Sequence, residues 1–125
     1  MRLLPSLLIL VVLTLHTRLQ AQTTVPDNTV ISANTTWTAA GSPWEVEGLV
    51  TVNATRTLTI EAGATVEFLN GARIIVSGTL SAPAPGATFT SDTGSPDDWY
   101  LQTSGGTINL NSCTLSNGDR VVIGS

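Results

Sequence analysis

Three aspartates in the run at 92–98 are the residues whose type and spacing best suit chemistry. Asp92, Asp97 and Asp98 place carboxylates within seven positions of one another, and Ca²⁺ prefers oxygen ligands of this kind. Their spacing does not match an EF-hand loop, and aspartate is also common in solvated turns. The sequence therefore predicts an acidic turn here, with a calcium site as the alternative.

Trp99 and Tyr100 directly follow the acidic run. Both side chains combine an apolar ring with a polar edge, which suits them to stacking on a sugar ring. The pair is therefore a candidate carbohydrate-binding site. The alternative, which we favour for Trp99, is a core residue or a side chain that fills a bend.

An N-terminal export signal is predicted at residues 1–21. A short positive start, Met1-Arg2, precedes an apolar run from Leu3 to Leu15, and Ala21 is a small residue suited to cleavage. This apolar run of about 13 residues is shorter than the roughly 20 that a transmembrane helix requires. We expect a secreted or cell-surface protein with no membrane span after cleavage, and an uncleaved anchor is the alternative.

Catalysis within this chain is not expected. The chain has one histidine, His16, which the predicted cleavage removes, and it has no lysine. A histidine-dependent nucleophile and a histidine-ligated zinc site are therefore excluded from the rest of the chain. Asp97 and Asp98 are also poorly placed as a glycosidase pair, because successive residues of a strand point to opposite faces. We expect no cofactor apart from the calcium alternative.

The charge of residues 22–125 excludes further classes of partner. This range contains all nine acidic residues and only three arginines, Arg56, Arg73 and Arg120. Nucleic acids and anionic membranes require a basic patch, which three dispersed arginines do not form. Polysaccharides or other cell-surface components remain as the expected partners.

Short runs of alternating apolar and polar residues predict an all-β chain. Apolar residues alternate at 44–52, 57–61 and 66–68, and glycine, asparagine, aspartate, serine and proline separate the runs. Residues 22–43 are more mixed and are predicted to form an N-terminal cap segment that leads into the strands. Residues 44–125 are predicted to form the body of the fold.

A weak internal repeat suggests how these strands are arranged. Gly63-Ala64-Thr65 recurs 23 residues later as Gly86-Ala87-Thr88, and Gly48 and Gly71 have the same separation. A period in the twenties is typical of stacked-coil architectures, in which each turn carries two or three short strands. At this period, residues 22–125 would make about four coils.

The run Leu49–Ala82, with the segments "ATFTSD" and "DDWYLQ" that follow it, resembles the opening coils of bacterial right-handed parallel β-helix proteins of the pectate-lyase-like superfold. These coils often read L-T-I-x-x-G-x-x-V-x-F, then G-x-L-x-A and F-T-S, here Leu58–Phe68, Gly78–Ala82 and Phe89–Ser91. The resemblance implies a right-handed parallel β-helix. Because the family includes lyases, glycoside hydrolases and adhesins, it implies no single activity.

An antiparallel β-sandwich is the alternative fold. Asn70-Gly71 lies between two apolar strands, and Asn117-Gly118 is a second pair of this type. Asn-Gly is a strong signal for the type I′ turn of a β-hairpin. In a β-helix the same pairs would mark bends within a coil, so the turn residues alone leave both folds open.

The sequence ends at Ser125 in or just after a strand, with no capping element after it. An open strand edge is a site for pairing with another chain. We therefore expect either that these coils begin a longer protein or that a second copy associates through the open C-terminal edge.

Threonine pairs raise the question of an ice-binding ladder. Thr57 and Thr59 form one Thr-x-Thr pair, and Thr88 and Thr90 form another. A ladder requires such pairs on every coil at a fixed register, and the sequence does not show that regularity. Ice binding is therefore not predicted from the sequence.

These observations predict a secreted or cell-surface β-helix segment with a structural, adhesive or carbohydrate-contacting role. The alternative is the N-terminal, non-catalytic part of a longer polysaccharide lyase or glycoside hydrolase. Downstream coils rich in Asp, His, Lys or Arg would favour the enzyme.

Overall fold

The computed structural model describes residues 22–91, 99–117 and 120–122. The predicted signal at 1–21 lies outside the described residues. Within the described ranges, no helix is long and apolar enough to cross a membrane.

The described residues form short β-strands that are two to four residues long and no helix. Threonine, valine, isoleucine and leucine dominate these strands, as expected for residues that fit a pleated surface. In chain order the strands are β1 (Thr23–Val25), β2 (Thr29–Ile31), β3 (Thr35–Trp37), β4 (Trp44–Val46), β5 (Leu49–Val52), β6 (Thr57–Ile60), β7 (Thr65–Phe68), β8 (Arg73–Val76), β9 (Thr79–Ala82), β10 (Thr88–Ser91), β11 (Tyr100–Thr103), β12 (Thr107–Leu110), β13 (Thr114–Leu115) and β14 (Arg120–Val122).

The strands stack into three parallel sheets. Sheet A has the order β1-β4-β7-β10-β13, sheet B has β14-β11-β8-β5-β2, and sheet C has β12-β9-β6-β3. Each strand therefore pairs with the strand three elements away, one coil up or down. All pairings between described strands are parallel. The fold is a β-solenoid of about four turns.

The parallel pairing shows that the antiparallel sandwich is wrong. Asn70-Gly71 does not close a hairpin but forms part of the bend between β7 in sheet A and β8 in sheet B. Gly71 has a φ of +78°, a conformation that glycine adopts without steric cost. Asn70-Gly71 therefore does mark a change of chain direction, but the two strands that it connects pair with strands of other coils and not with each other.

Strict alternation along the strands builds the core. In most four-residue strands the first and third residues are half-buried and the second and fourth are buried. The inward residues of successive coils stack in columns, and full burial of a large apolar side chain contributes about 1.5–3 kcal/mol. Three of these columns are Val50–Ile74–Leu101, Leu58–Leu80–Ile108 and Val46–Phe68–Ser91.

The coils are unequal in length because their bends differ. Thr65 pairs with Thr88, so the repeated Gly-Ala-Thr segments occupy equivalent positions. Leu49 pairs with Arg73, a separation of 24 residues. Gly48 therefore corresponds to position 72 and not to Gly71, because the β7–β8 bend is two residues longer than the β4–β5 bend.

Residues 22–43, predicted as a cap segment, contain a full coil of the solenoid. Its strands β1, β2 and β3 pair in parallel with β4, β5 and β6. At three residues each, these strands are too short to produce a clear alternation in the sequence. The coil is joined to the next by Trp37, whose ring stacks on Trp44 with a centroid separation of 5.2 Å.

Side chains from the bends of residues 22–43 complete the backbone hydrogen bonding of the strands stacked on them. The backbone N–H groups that open β5, β6 and β7 donate to Asp27 Oδ1 at 2.7 Å, Asn34 Oδ1 at 3.0 Å and Ser42 Oγ at 2.8 Å. In the following coils the corresponding acceptors are backbone carbonyls, such as Gly48 O for the Arg73 N–H. Short polar side chains therefore compensate for the irregular bends of the first coil.

Gly78 lies where the bends of neighbouring coils come into close contact, at the corner between sheets B and C. A Cβ atom at this position would collide with the backbone carbonyl oxygens of Asn53 and Arg56. The Gly78 carbonyl also accepts a hydrogen bond from the Thr107 N–H at 2.9 Å. The corner therefore has no room for a side chain.

We predict that Gly78→Ala lowers the free energy of unfolding by about 1–3 kcal/mol, because backbone atoms must move to relieve the overlap. Ser77→Ala at the adjacent half-buried position is the control, with an expected change within about 0.5 kcal/mol. Urea unfolding followed by circular dichroism measures both. Equal midpoints for the two variants would contradict the close packing at this corner.

Candidate functional site

The structure describes the predicted aromatic site but not the three aspartates of the candidate calcium site. Asp92, Asp97 and Asp98 lie outside the described residues, so the predicted acidic turn and its alternative, a calcium site, both stay predictions. In the described part of the chain, no group of three or more histidine, cysteine, aspartate or glutamate side chains could hold a metal ion.

Trp99 and Tyr100 lie on opposite sides of the coil wall. Trp99 is 1% exposed, and its ring stacks on Phe68 with centroids 4.4 Å apart and planes 3° apart. Tyr100 opens β11 and is half-buried on the outward side of sheet B. Of the two candidate rings, only Tyr100 is therefore placed to contact a ligand. Carbohydrate contact by this residue stays a prediction.

The outward face of sheet B surrounds Tyr100 with both polar and apolar side chains. One column contains Leu49, Arg73 and Tyr100, which are successive register partners. The parallel column contains Val30, Thr51, Ile75 and Gln102. Val30 at its start is 54% exposed. We define the outward residues Leu49, Arg73, Tyr100, Thr51, Ile75 and Gln102 as the sheet B face.

Arg73 on β8 is a direct register partner of Tyr100 on β11, and neighbouring strands lie about 4.8 Å apart. Arg120 on β14 is the register partner of Tyr100 on the other side. The Arg73 guanidinium donates through Nη1 to the Gly71 carbonyl at 3.3 Å. This bond uses one of the five N–H donors of arginine, and the others remain for a ligand.

Acidic residues mark the outward side of sheet A. Glu45 and Glu67 are register partners on adjacent coils, and like charges in such positions repel each other. Gln22 donates to Glu45 Oε2 at 2.9 Å. Directly after β13 of this sheet, the Ser116 hydroxyl donates to Thr90 Oγ1 at 3.0 Å. The outward side of sheet A therefore carries negative charge, and some of its hydroxyl groups already bond to other side chains of the chain.

The strands of sheet C have no charged side chain on their outward side. Strands β3, β6, β9 and β12 contain no aspartate, glutamate, lysine or arginine. Thr57 and Thr59, one of the two Thr-x-Thr pairs of the sequence, lie on this side, whereas Thr88 and Thr90 lie on sheet A. The pairs that the sequence suggested therefore belong to different faces.

The register adds residues to sheet C that the sequence did not single out. Thr57 pairs with Thr79, which pairs with Thr107, and Thr59 pairs with Ser81, which pairs with Asn109. Among the described strands of sheet C, Thr-x-Thr occurs only in β6, as the sequence indicated, but the polar residues of β6, β9 and β12 stack in register. The coil lengths hid the pattern, because the step from β6 to β9 is 22 residues and the step from β9 to β12 is 28.

The last described coil leaves part of its inward surface open. Leu115 is 41% exposed, although its register partner Phe89 is fully buried. Leu110, Cys113 and Val121 are only partly buried against the core. Self-association through a C-terminal edge stays a prediction.

Comparison with protein families, with curated proteins and with solved structures finds no match for this chain. The functional interpretation of the three faces therefore depends on their own chemistry.

Proposed function

We propose that this chain is part of an exported surface protein that contacts carbohydrate through the sheet B face. The observation that carries the proposal is the position of Tyr100 beside Arg73, its register partner on the preceding coil, and two positions from Gln102 on the same side of its own strand. An aromatic ring beside planar hydrogen-bond donors provides both a stacking surface and polar contacts for sugar hydroxyls.

The rigidity of the coil wall supports this role. Ile74 and Leu101 lie directly beneath the sheet B face, and neither is exposed to solvent. Parallel pairing on both sides fixes β8 between β5 and β11. A ligand that binds here would therefore meet a surface that is already in place, which lowers the ordering cost of binding.

The predicted signal at residues 1–21 supports an exported location, where polysaccharides are the accessible partners. The family that these coils resemble includes adhesins, and the lack of histidine and lysine at residues 22–125 favours an adhesive or structural role over catalysis by these coils. The alternative, the non-catalytic start of a longer polysaccharide lyase or glycoside hydrolase, would use the same face to extend a substrate groove.

We predict that Tyr100→Ala weakens polysaccharide binding about tenfold or more, as is typical when a central aromatic contact is removed. Calorimetric titration of the purified chain against a panel of neutral and acidic polysaccharides measures the effect. Thr88→Ala, a half-buried outward position on sheet A, is the control and should retain the affinity. The proposal fails if the unmodified chain binds no member of the panel, or if both variants lose affinity equally.

A further inference from the structure

The outward side of sheet C presents a two-column array of small polar side chains. One column continues through β6, β9 and β12, and the other through all four strands of the sheet. Every member is a threonine, a serine or an asparagine. We define this set as the sheet C array: Thr57, Thr79, Thr107, Thr36, Thr59, Ser81 and Asn109.

The side chains of this array make no hydrogen bonds within the described part of the chain. Other threonines behave differently: Thr29 and Thr35 donate to the carbonyls of Pro26 and Ala33 at 2.7 and 2.8 Å. The array therefore keeps its hydroxyl donors and acceptors for an external partner. Each threonine also offers a methyl group, so polar and apolar groups alternate over short distances.

The backbone holds the array on a regular grid. Adjacent strands place successive members of a column about 4.8 Å apart, and residues two positions apart along a strand lie about 6.6 Å apart. Leu58 and Leu80 are fully buried directly beneath the array, which anchors β6 and β9. The grid is therefore set by the parallel ladder and does not depend on the conformations of flexible side chains.

We propose that the sheet C array binds ice, that is, the ordered water of a crystal surface. Water oxygens on the prism face of hexagonal ice repeat on a grid of nearly these dimensions. An array that orders water at this spacing can merge its own hydration layer with the crystal. This role is additional to carbohydrate contact and uses a different face of the coil.

The chemistry of the array favours ice over a saccharide as the ligand. The outward positions of the array include no aromatic ring for stacking on sugars. They also include no charge, and a charged group would hold its own hydration shell and disturb a neutral lattice. The charges of the neighbouring faces, such as Glu67 and Arg73, lie on sheets A and B.

The test is inhibition of ice recrystallisation by the purified chain, with thermal hysteresis measured in parallel. We expect activity in the unmodified chain. Thr59→Tyr places a large ring in the middle of the array and should raise the concentration needed for half-maximal inhibition about tenfold or more. Ser81→Tyr, on the next coil of the same column, should have a similar effect and serves as a second variant if the first does not fold.

Thr88→Tyr makes the same change at a half-buried outward position on sheet A, and it should retain ice activity within about twofold. Circular dichroism establishes that each variant is folded. Absence of ice activity in the unmodified chain would overturn the proposal, as would equal losses in all three variants. Loss of binding to crystalline cellulose in the sheet C variants, without an effect on ice, would instead assign the array to a polysaccharide.

The Tyr100→Ala variant separates the two proposals. It changes the sheet B face alone, so it should weaken polysaccharide binding and leave ice activity intact. Loss of both activities in this variant would contradict the separate assignment of the two faces.

Discussion

Ile74→Asp is expected to unfold the chain, whereas Ile75→Asp is expected to leave it folded. The two isoleucines are adjacent in β8, the central strand of sheet B. Ile74 points inward, is fully buried and is the register partner of Val50 and Leu101. Ile75 points outward and is half-buried.

The size of the effect at Ile74 follows from its surroundings. The substitution removes an apolar side chain worth about 1.5–3 kcal/mol on burial and places a carboxylate among apolar residues that offer no partner. Losses above about 4–5 kcal/mol are expected for a buried unpaired charge. This approaches the total stability of about 5–15 kcal/mol that is typical of a small domain.

Far-UV circular dichroism and urea unfolding of both variants measure this contrast. At Ile75 the carboxylate can reach solvent, so we expect only a small change in the unfolding midpoint. A folded Ile74→Asp variant, or an Ile75→Asp variant that is equally disrupted, would show that the inward side of β8 is assigned wrongly.

The inward and outward assignment of most strands was accessible from the sequence. Leu58 and Ile60 alternate with threonines, and Val66 and Phe68 enclose Glu67; the structure buries all four of these apolar residues. The run Ile74-Ile75-Val76 was ambiguous, because three apolar residues fit either orientation. Its orientation is fixed by pairing with Val50 and Val52 of the preceding coil.

Parallel pairing could not be derived from local turn chemistry. A glycine with positive φ serves a hairpin turn and a solenoid bend equally well, so Asn70-Gly71 supported both folds. The resemblance to β-helix coils favoured the parallel fold, and the pairing of β7 with β4 and β10 confirms that the fold is a parallel solenoid.

The sheet C array could not be predicted from the sequence, because the lengths of the bends decide which residues share a face. The β5–β6 bend has four residues and the β8–β9 bend has two, so equivalent positions do not recur at a constant interval. Thr79, Ser81, Thr107 and Asn109 therefore showed no common period with Thr57 and Thr59. Only the hydrogen-bonded register brings them into the same columns.

Phe68→Ala is expected to produce the largest loss among the aromatic substitutions in the core. The fully buried Phe68 ring stacks on Trp99 at 4.4 Å and lies 6.5 Å from Phe89. Its truncation leaves a cavity that the two large rings of the next coil cannot fill without moving their strands. Losses of about 3–5 kcal/mol are typical for such a change in a core.

Phe68→Leu is the matched control, because it keeps most of the apolar volume and should cost less than about 1.5 kcal/mol. Denaturant unfolding followed by tryptophan fluorescence reports directly on this cluster, since Trp99 is in contact with the substituted ring. The stacking also joins β7 of one coil to the start of β11 on the next coil. If alanine and leucine gave the same midpoint, Phe68 would not be the side chain that anchors Trp99, and the position of Tyr100 on the sheet B face would depend on the β11 ladder alone.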